Sequence, residues 1–159
     1  MKHKNKIFII LTITLIIFVV IATIIKINQT SEYNNESLIN KNAQLSDIEF
    51  IEGKVNIYFF WGNGCPHCED EFSFLEKLSE EYSKDINIYS FEVWNNQDNT
   101  QILTDFARIM QKQVTGVPFT IIGEESFSGF STSIEDNFKN AIKKQINNDF
   151  DVYKEYKQN

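Results

Sequence analysis

The only two cysteines in the chain stand as Cys65-Pro66-His67-Cys68, closing the run Ile57-Tyr-Phe-Phe-Trp-Gly-Asn-Gly64. Here an apolar strand pattern gives way to a helical one. Two thiols at i and i+3 on the first turn of a helix are close enough to bond, so the pair can close a small disulfide ring and reopen it. The first thiol also sits where unsatisfied backbone N–H groups and the helix dipole favour negative charge. Cys65 is therefore expected to be the more acidic and more exposed thiol, and Cys68 the shielded partner one turn inward. Pro66 suits the first turn because its missing N–H would have had no helical partner. His67, when protonated, would further favour the Cys65 thiolate, each pKa unit being worth about 1.4 kcal/mol.

Two other uses of the pair weigh less. A zinc site takes about four ligands, and beyond Cys65, Cys68 and His67 the sequence offers only His3. A static disulfide closing so short a loop adds little stability through chain entropy. Redox exchange is the chemistry the spacing suits, with the disulfide itself as the redox group and neither a further cofactor nor a metal.

These side chains need a scaffold. Val55 to Trp61 reads as a buried strand, nearly all apolar and rich in β-formers. Phe72, Leu75, Leu78 and Tyr82 recur at helical spacing and predict a helix over 66–83. Ile86 to Trp94 is a second strand, and Ile102, Phe106, Ile109 and Met110 mark a helix over 99–113. Strand, helix, strand in this order is a βαβ unit with parallel strands. Phe119–Ile122 and Ser126–Phe130 then read as short strands split by Gly123-Glu124-Glu125, an antiparallel hairpin. Thr132-Ser133-Ile134-Glu135 has a capping-box pattern and opens a last helix whose apolar face is Ile134, Phe138, Ala141, Ile142 and Ile146. Gly116-Val117-Pro118-Phe119 is a second signal, far downstream of Cys65, with Pro118 following a helix and opening a strand. By itself that reads as an ordinary turn proline.

The segment 1–27 is of another kind. Lys2, Lys4 and Lys6 precede Ile7 to Ile25, nineteen residues with no charge and three threonines as the polar interruptions. As a helix the run spans about 28 Å, against roughly 30 Å of bilayer hydrocarbon. It is longer than the apolar region of a cleaved signal peptide and is followed by no small-x-small site, so an uncleaved anchor is expected. The lysines before it favour an N-terminus inside and a remainder outside, where disulfides persist. Residues 28–44 are polar and asparagine-rich, and are expected to form a flexible tether with a reach of ~23 Å. The domain is then expected over 45–148, followed by a polar tail over 149–159. The anchor holds four of the 15 basic residues and none of the 22 acidic ones, which leaves 11 against 22 beyond it, a net −11. Such acidity argues against nucleic acid and anionic lipid headgroups as partners.

With these residues in place, the chain resembles the thioredoxin fold superfamily over about residues 45–148. Trp61-Gly-Asn-Gly-Cys65-Pro-His-Cys68 resembles its strand-to-helix active site, Gly116-Val117-Pro118 its cis-proline loop, and Gly129 the glycine that follows. The Cys-Pro-His-Cys tetrapeptide and the valine before the proline are similar to those of DsbA-type disulfide oxidases. The resemblance implies an α/β thioredoxin-like fold, a central mixed sheet flanked by helices behind one transmembrane helix. It also implies a thiol–disulfide oxidoreductase in which Cys65 exchanges with a substrate disulfide or thiol and Cys68 resolves the mixed disulfide. His67 would make the disulfide more oxidising. A cis Pro118 would pack beside the sulfurs, the backbone of Val117 would pair with an extended substrate segment, and Trp61 would either shield the site or be an aromatic strand end in the core. Implied partners are protein thiols or disulfides and an integral-membrane redox protein, with the chain itself a monomer.

Two departures stand out. DsbA-type enzymes insert a helical domain between the cysteines and the proline, whereas here one helix, one strand and another helix fill the interval, as in plain thioredoxin. The superfamily often carries a buried acid six residues before the first cysteine, and this chain has Phe59 there. Water or another group, Glu92 or Glu69 among the candidates, takes that role, or exchange is slower. Trp94 reads as core or loop packing, and the run Glu69, Asp70 and Glu71 as acids favoured near a helix N-terminus. The histidine between the cysteines favours disulfide formation. The thioredoxin layout equally suits a membrane-tethered reductase, as in cytochrome c maturation or disulfide repair. A further alternative is a non-catalytic binding or chaperone module that uses the groove near Pro118.

Overall fold

The computed structural model describes residues 42–158, together with 39–40 and residues 17, 18, 20 and 21. Most of the expected anchor over 7–25 and of the tether over 28–44 lies outside the described residues. Among the described residues no helix is long and apolar enough to cross a membrane.

Val55–Trp61 forms the central strand β2, as its apolar composition requires of a strand covered on both faces. It pairs in parallel with β3, Ile86–Glu92, and antiparallel with β4, Phe119–Ile122. The helix between β2 and β3, α1 (Pro66–Glu81), makes the parallel crossover, and α2 (Gln97–Ile109) leads on towards β4. A hairpin joins β4 to β5, Glu125–Ser128, and a two-residue strand β1, Ile39–Asn40, pairs with the other edge of β3. The sheet order is β1-β3-β2-β4-β5. Helices α3, Glu135–Gln145, and α4, Val152–Tyr156, follow.

Because side chains alternate along a strand, β2 feeds two cores. Ile57 and Phe59 face α1 and α3, joining Leu75, Leu78, Phe138, Ile142 and both cysteines. Tyr58 and Phe60 face the opposite layer, with Phe106 of α2 and Val152 of α4. The cysteine pair thus rests on one core only.

Three expectations are corrected here. The end of the tether belongs to the sheet, since β1 pairs with β3, and Ala43 is buried and donates its N–H to the Ser90 carbonyl at 2.8 Å. The tail is likewise packed over the described residues 149–158. Asp151 caps α4 through the N–H groups of Tyr153 and Lys154 and accepts the Tyr58 hydroxyl at 2.8 Å and the Asn56 amide at 3.2 Å. This polar latch seats Val152 in the second core, and burial raises the Tyr58 hydroxyl pKa, with the nearby Asp151 charge adding to it. The capping box at Thr132–Glu135 does not form. Thr132–Ile134 is a 3-10 turn, and α3 starts at Glu135 without a side-chain cap. Element boundaries elsewhere shift by a few residues, most at α2, where Asn96 is the N-cap and accepts the Asn99 N–H.

Candidate functional site

The chain leaves β2 at Trp61 and turns through Gly62-Asn63-Gly64 into α1. Gly64 has φ +79°, a conformation side chains disfavour. Gly62 is demanded by space, because a Cβ there would collide with the Trp94 ring. Cys65 is the N-cap of α1, its carbonyl accepting the N–H groups of Cys68 and Glu69 at 3.0 and 3.1 Å, while its Sγ accepts from the Cys68 N–H at 3.3 Å. Cys65 and Cys68 form a disulfide across a Cα separation of 5.2 Å. Cys65 is the more accessible, 5% exposed against 1% for Cys68. Pro66 and His67 are exposed.

The loop before β4 meets this helix start. The Val117–Pro118 peptide bond is cis, and the Val117 carbonyl oxygen lies 3.8 Å from Cys65 Sγ. The Pro118 carbonyl accepts the Gly129 N–H at 2.8 Å, tying the loop to the end of the hairpin. The Val117–Pro118 loop and the cysteine pair, far apart in sequence, therefore meet at Cys65. Trp61 is half-buried, its ring 5.2 Å from Phe72. Trp94 is not core. It is 59% exposed and packs on the glycine loop.

Neither Glu69 nor Glu92 is a buried, uncharged acid at the level of Phe59. Glu69 is exposed. The Glu92 carboxylate accepts the backbone N–H groups of Asn95, Trp94 and Asn63 at 2.9, 3.0 and 3.2 Å. Burial works to raise the Glu92 pKa, but these donors and the Asn95 side-chain amide outweigh it and hold the group below the usual carboxylate range. A carboxylate so held stays ionised and fixes the loop. Glu71, read in the sequence as a helix-start acid, is the buried one, only 1% exposed. Burial pushes its carboxyl up to about 8, opposed by a hydrogen bond from the Thr120 hydroxyl. Thr120 stands directly opposite Phe59 in the β2–β4 ladder. The helix thus delivers an acid to the layer where the strand has a phenylalanine. Glu71 follows Cys68 at i+3 on the buried stripe Cys68–Glu71–Leu75–Leu78, and side chains at that spacing are neighbours on a helix surface. Starting the helical periodicity at Cys68 rather than Phe72 would have placed it inward.

No family model and no curated protein matches the chain. Among solved structures it is similar to an uncharacterized thioredoxin-like protein from Clostridium perfringens, at 20% identity and a TM-score of 0.50 over 67% of this chain and 79% of that one. It is also similar to a protein from Chlorobium tepidum proposed to be the thiol:disulfide interchange protein DsbE, at 14% identity and a TM-score of 0.46 over 60% of this chain and 82% of that one. Thioredoxin from Trypanosoma brucei brucei aligns at 14% identity and a TM-score of 0.42, over 60% and 77% of the two chains. The fold is thioredoxin-like, a mixed sheet flanked by helices, and its cysteine pair stands at the strand-to-helix turn.

Proposed function

We propose that the chain is a membrane-tethered, extracytoplasmic thiol–disulfide oxidoreductase acting on protein substrates, with disulfide formation as its favoured direction. The observation that carries this reading is the Cys65–Cys68 disulfide at the N-terminus of α1, with the Val117 carbonyl beside Cys65. In the oxidising direction a substrate thiolate attacks Cys65 Sγ. The Cys65–Cys68 bond breaks, its electron pair leaves on Cys68, and a mixed disulfide remains on Cys65. The second substrate thiolate attacks the substrate sulfur of that bond and expels the Cys65 thiolate. The substrate leaves oxidised, and two electrons stay on the cysteine pair until an integral-membrane partner removes them.

Each residue has a part in these steps. The open helix end favours the departing Cys65 thiolate, and His67, exposed on that turn, lends positive charge when protonated. The Val117 backbone offers its carbonyl to an extended substrate segment beside Pro118, and Trp61 covers one side. Glu71, uncharged below about pH 8, gives a proton to the departing Cys68 thiolate and takes it back in the reverse direction, directly or through one water. The apolar run over 7–25 would serve as the anchor, and the acidic domain as a monomer outside the membrane.

A membrane-tethered reductase is the second reading. Only α1, β3 and α2 fill the interval between Cys68 and Pro118, with no inserted helical domain. A glutathione redox titration separates the two, since an oxidising potential favours disulfide formation and one near thioredoxin's favours reduction. Cys68→Ser in the native membrane should trap substrates as mixed disulfides. A Cys65 thiol of ordinary acidity, with a bond that resists strong reductant, would overturn both readings in favour of a binding module.

A further inference from the structure

The turn before Cys65 contains Gly62 and Gly64, and glycine is the residue type with the most backbone freedom to lose. Its restraints come from the end of β3 and the loop that follows. The Val93 N–H donates to the Trp61 carbonyl at 2.9 Å, the Glu92 carboxylate accepts the Asn63 N–H at 3.2 Å, and the Trp94 indole lies on Gly62. That loop is itself fixed to α2. The Asn99 amide donates to the Glu92 carbonyl at 2.9 Å, and the Thr100 hydroxyl to the Val93 carbonyl at 2.6 Å. Resting on the thiol–disulfide reading above, we infer that Trp94 is a positioning residue for that reaction: its indole clamps the glycine turn, holds Cys65 ready to close on Cys68, and so shifts the equilibrium between dithiol and disulfide.

The fit between indole and glycine is specific. Trp94 is 59% exposed, so core packing does not account for its place. Its own N–H is bound by the Glu92 carboxylate at 3.0 Å, which fixes where the ring starts. A Cβ added to Gly62 would run into Cδ2, Cε2 and Cε3 of that ring. Gly62 is outside the left-handed region, unlike Gly64, so the indole rather than the backbone excludes a side chain there. One step further along the chain, the Gly62 carbonyl accepts the Cys65 N–H at 3.1 Å, so the clamped residue is bonded to the reacting one.

The consequence is thermodynamic. Closing the ring brings the Cys65 sulfur to the Cys68 sulfur, and the turn places Cys65. In the disulfide the covalent bond also restrains that turn, whereas in the dithiol the restraint falls to the clamp. Freeing the turn therefore adds entropy chiefly to the dithiol. With the clamp in place, the effective concentration of one thiol at the other is higher and the disulfide is harder to reduce. This opposes the helix end and His67, which favour the Cys65 thiolate, so the direction of transfer reflects both.

The test equilibrates the full-length protein in detergent with glutathione or dithiothreitol redox buffers that bracket its midpoint. Two reductant thiols give two electrons and two protons to the pair and become a disulfide, and quenched alkylation counts the protein dithiol. We expect Trp94→Ala to move the equilibrium constant about 5-fold towards the dithiol, and Trp94→Phe, which keeps a ring over Gly62, less than about 2-fold. Gly62→Ala, whose methyl displaces the indole, should move it as Trp94→Ala does, and the double variant no more than about 2-fold beyond Trp94→Ala alone. A residue that serves only the fold would lower the melting temperatures of both redox forms alike and leave this equilibrium unmoved. The clamp requires the oxidised form to lose more, because the reduced form regains turn entropy. Should Trp94→Ala fail to fold, Trp94→Leu carries the same comparison. Shifts under about 2-fold in both single variants, a shift towards the disulfide, or additive shifts in the double variant overturn the clamp and leave the exchange reaction standing. If the unaltered disulfide stays closed in excess dithiothreitol, the thiol–disulfide reading falls and takes the clamp with it.

Discussion

Two glutamates close to the redox loop are both buried, yet they reach opposite charge states. Glu92, at the end of β3, meets three backbone N–H groups from the adjoining loops, and it is held ionised. Glu71, on the inner stripe of α1, meets one hydroxyl, and its proton is held to about pH 8. The two differ both in depth, Glu71 lying in the core and Glu92 near its rim, and in the donors that meet them, and the two factors act in the same direction. The ionised one is suited to fix a loop and the neutral one to exchange a proton.

The largest effect should come from breaking the neutral member. Glu71→Gln keeps the shape but removes the exchangeable proton, and we expect thiol–disulfide exchange through Cys68 to slow by about 10²-fold. Stopped-flow exchange with a dithiol peptide reads this, and a rate within about 2-fold of the unaltered protein would leave Glu71 a packing residue. Glu92→Ala should act on stability instead. It strips the acceptor from three N–H groups, and a loss of about 3 kcal/mol in urea unfolding is expected.

The pH dependence separates the two groups further. Glu71 is raised from an ordinary 4.5 to about 8, so the stability linked to its neutral form is full below 4.5 and drains away as pH rises through 8. Glu92 is lowered, so its contribution is present above 4.5 and is lost as pH falls through its folded value. Thermal melts of the oxidised protein should show an alkaline decline that Glu71→Gln flattens. An acid decline should persist in that variant and weaken in Glu92→Gln. The smallest effect is expected from Thr120→Val. Its hydroxyl lowers the Glu71 pKa, so its removal should move the alkaline midpoint upward by less than about one pH unit. A downward move would contradict the assigned hydrogen bond.

Much of this was legible along the chain. The apolar runs at 55–61 and 119–122 became strands at those residues, because a strand covered on both faces needs nothing but apolar β-formers. The Cys65–Cys68 turn was legible for the same local reason, since spacing and helix start act over four residues. The sequence reading went astray where a distant partner left no motif to announce it, while the Val117–Pro118 loop, which the resemblance announced, does meet Cys65. The terminal residues 149–158 looked like a polar tail because Asp151 and Tyr58 are 93 residues apart and neither signals the other. The Thr132–Glu135 cap failed because a 3-10 turn took its place.

The sequence by itself determined the cysteine pair, the order of strands and helices from β2 to α3, and the acidity of the domain. These depend on residue type and short spacing, which the chain carries locally. Tertiary structure alone decided that Glu71 rather than Glu69 or Glu92 is buried uncharged, that Trp94 lies on Gly62, and that Val117 reaches Cys65. Each depends on which donors and surfaces arrive from distant segments, and desolvation and hydrogen bonding act only once those segments have met.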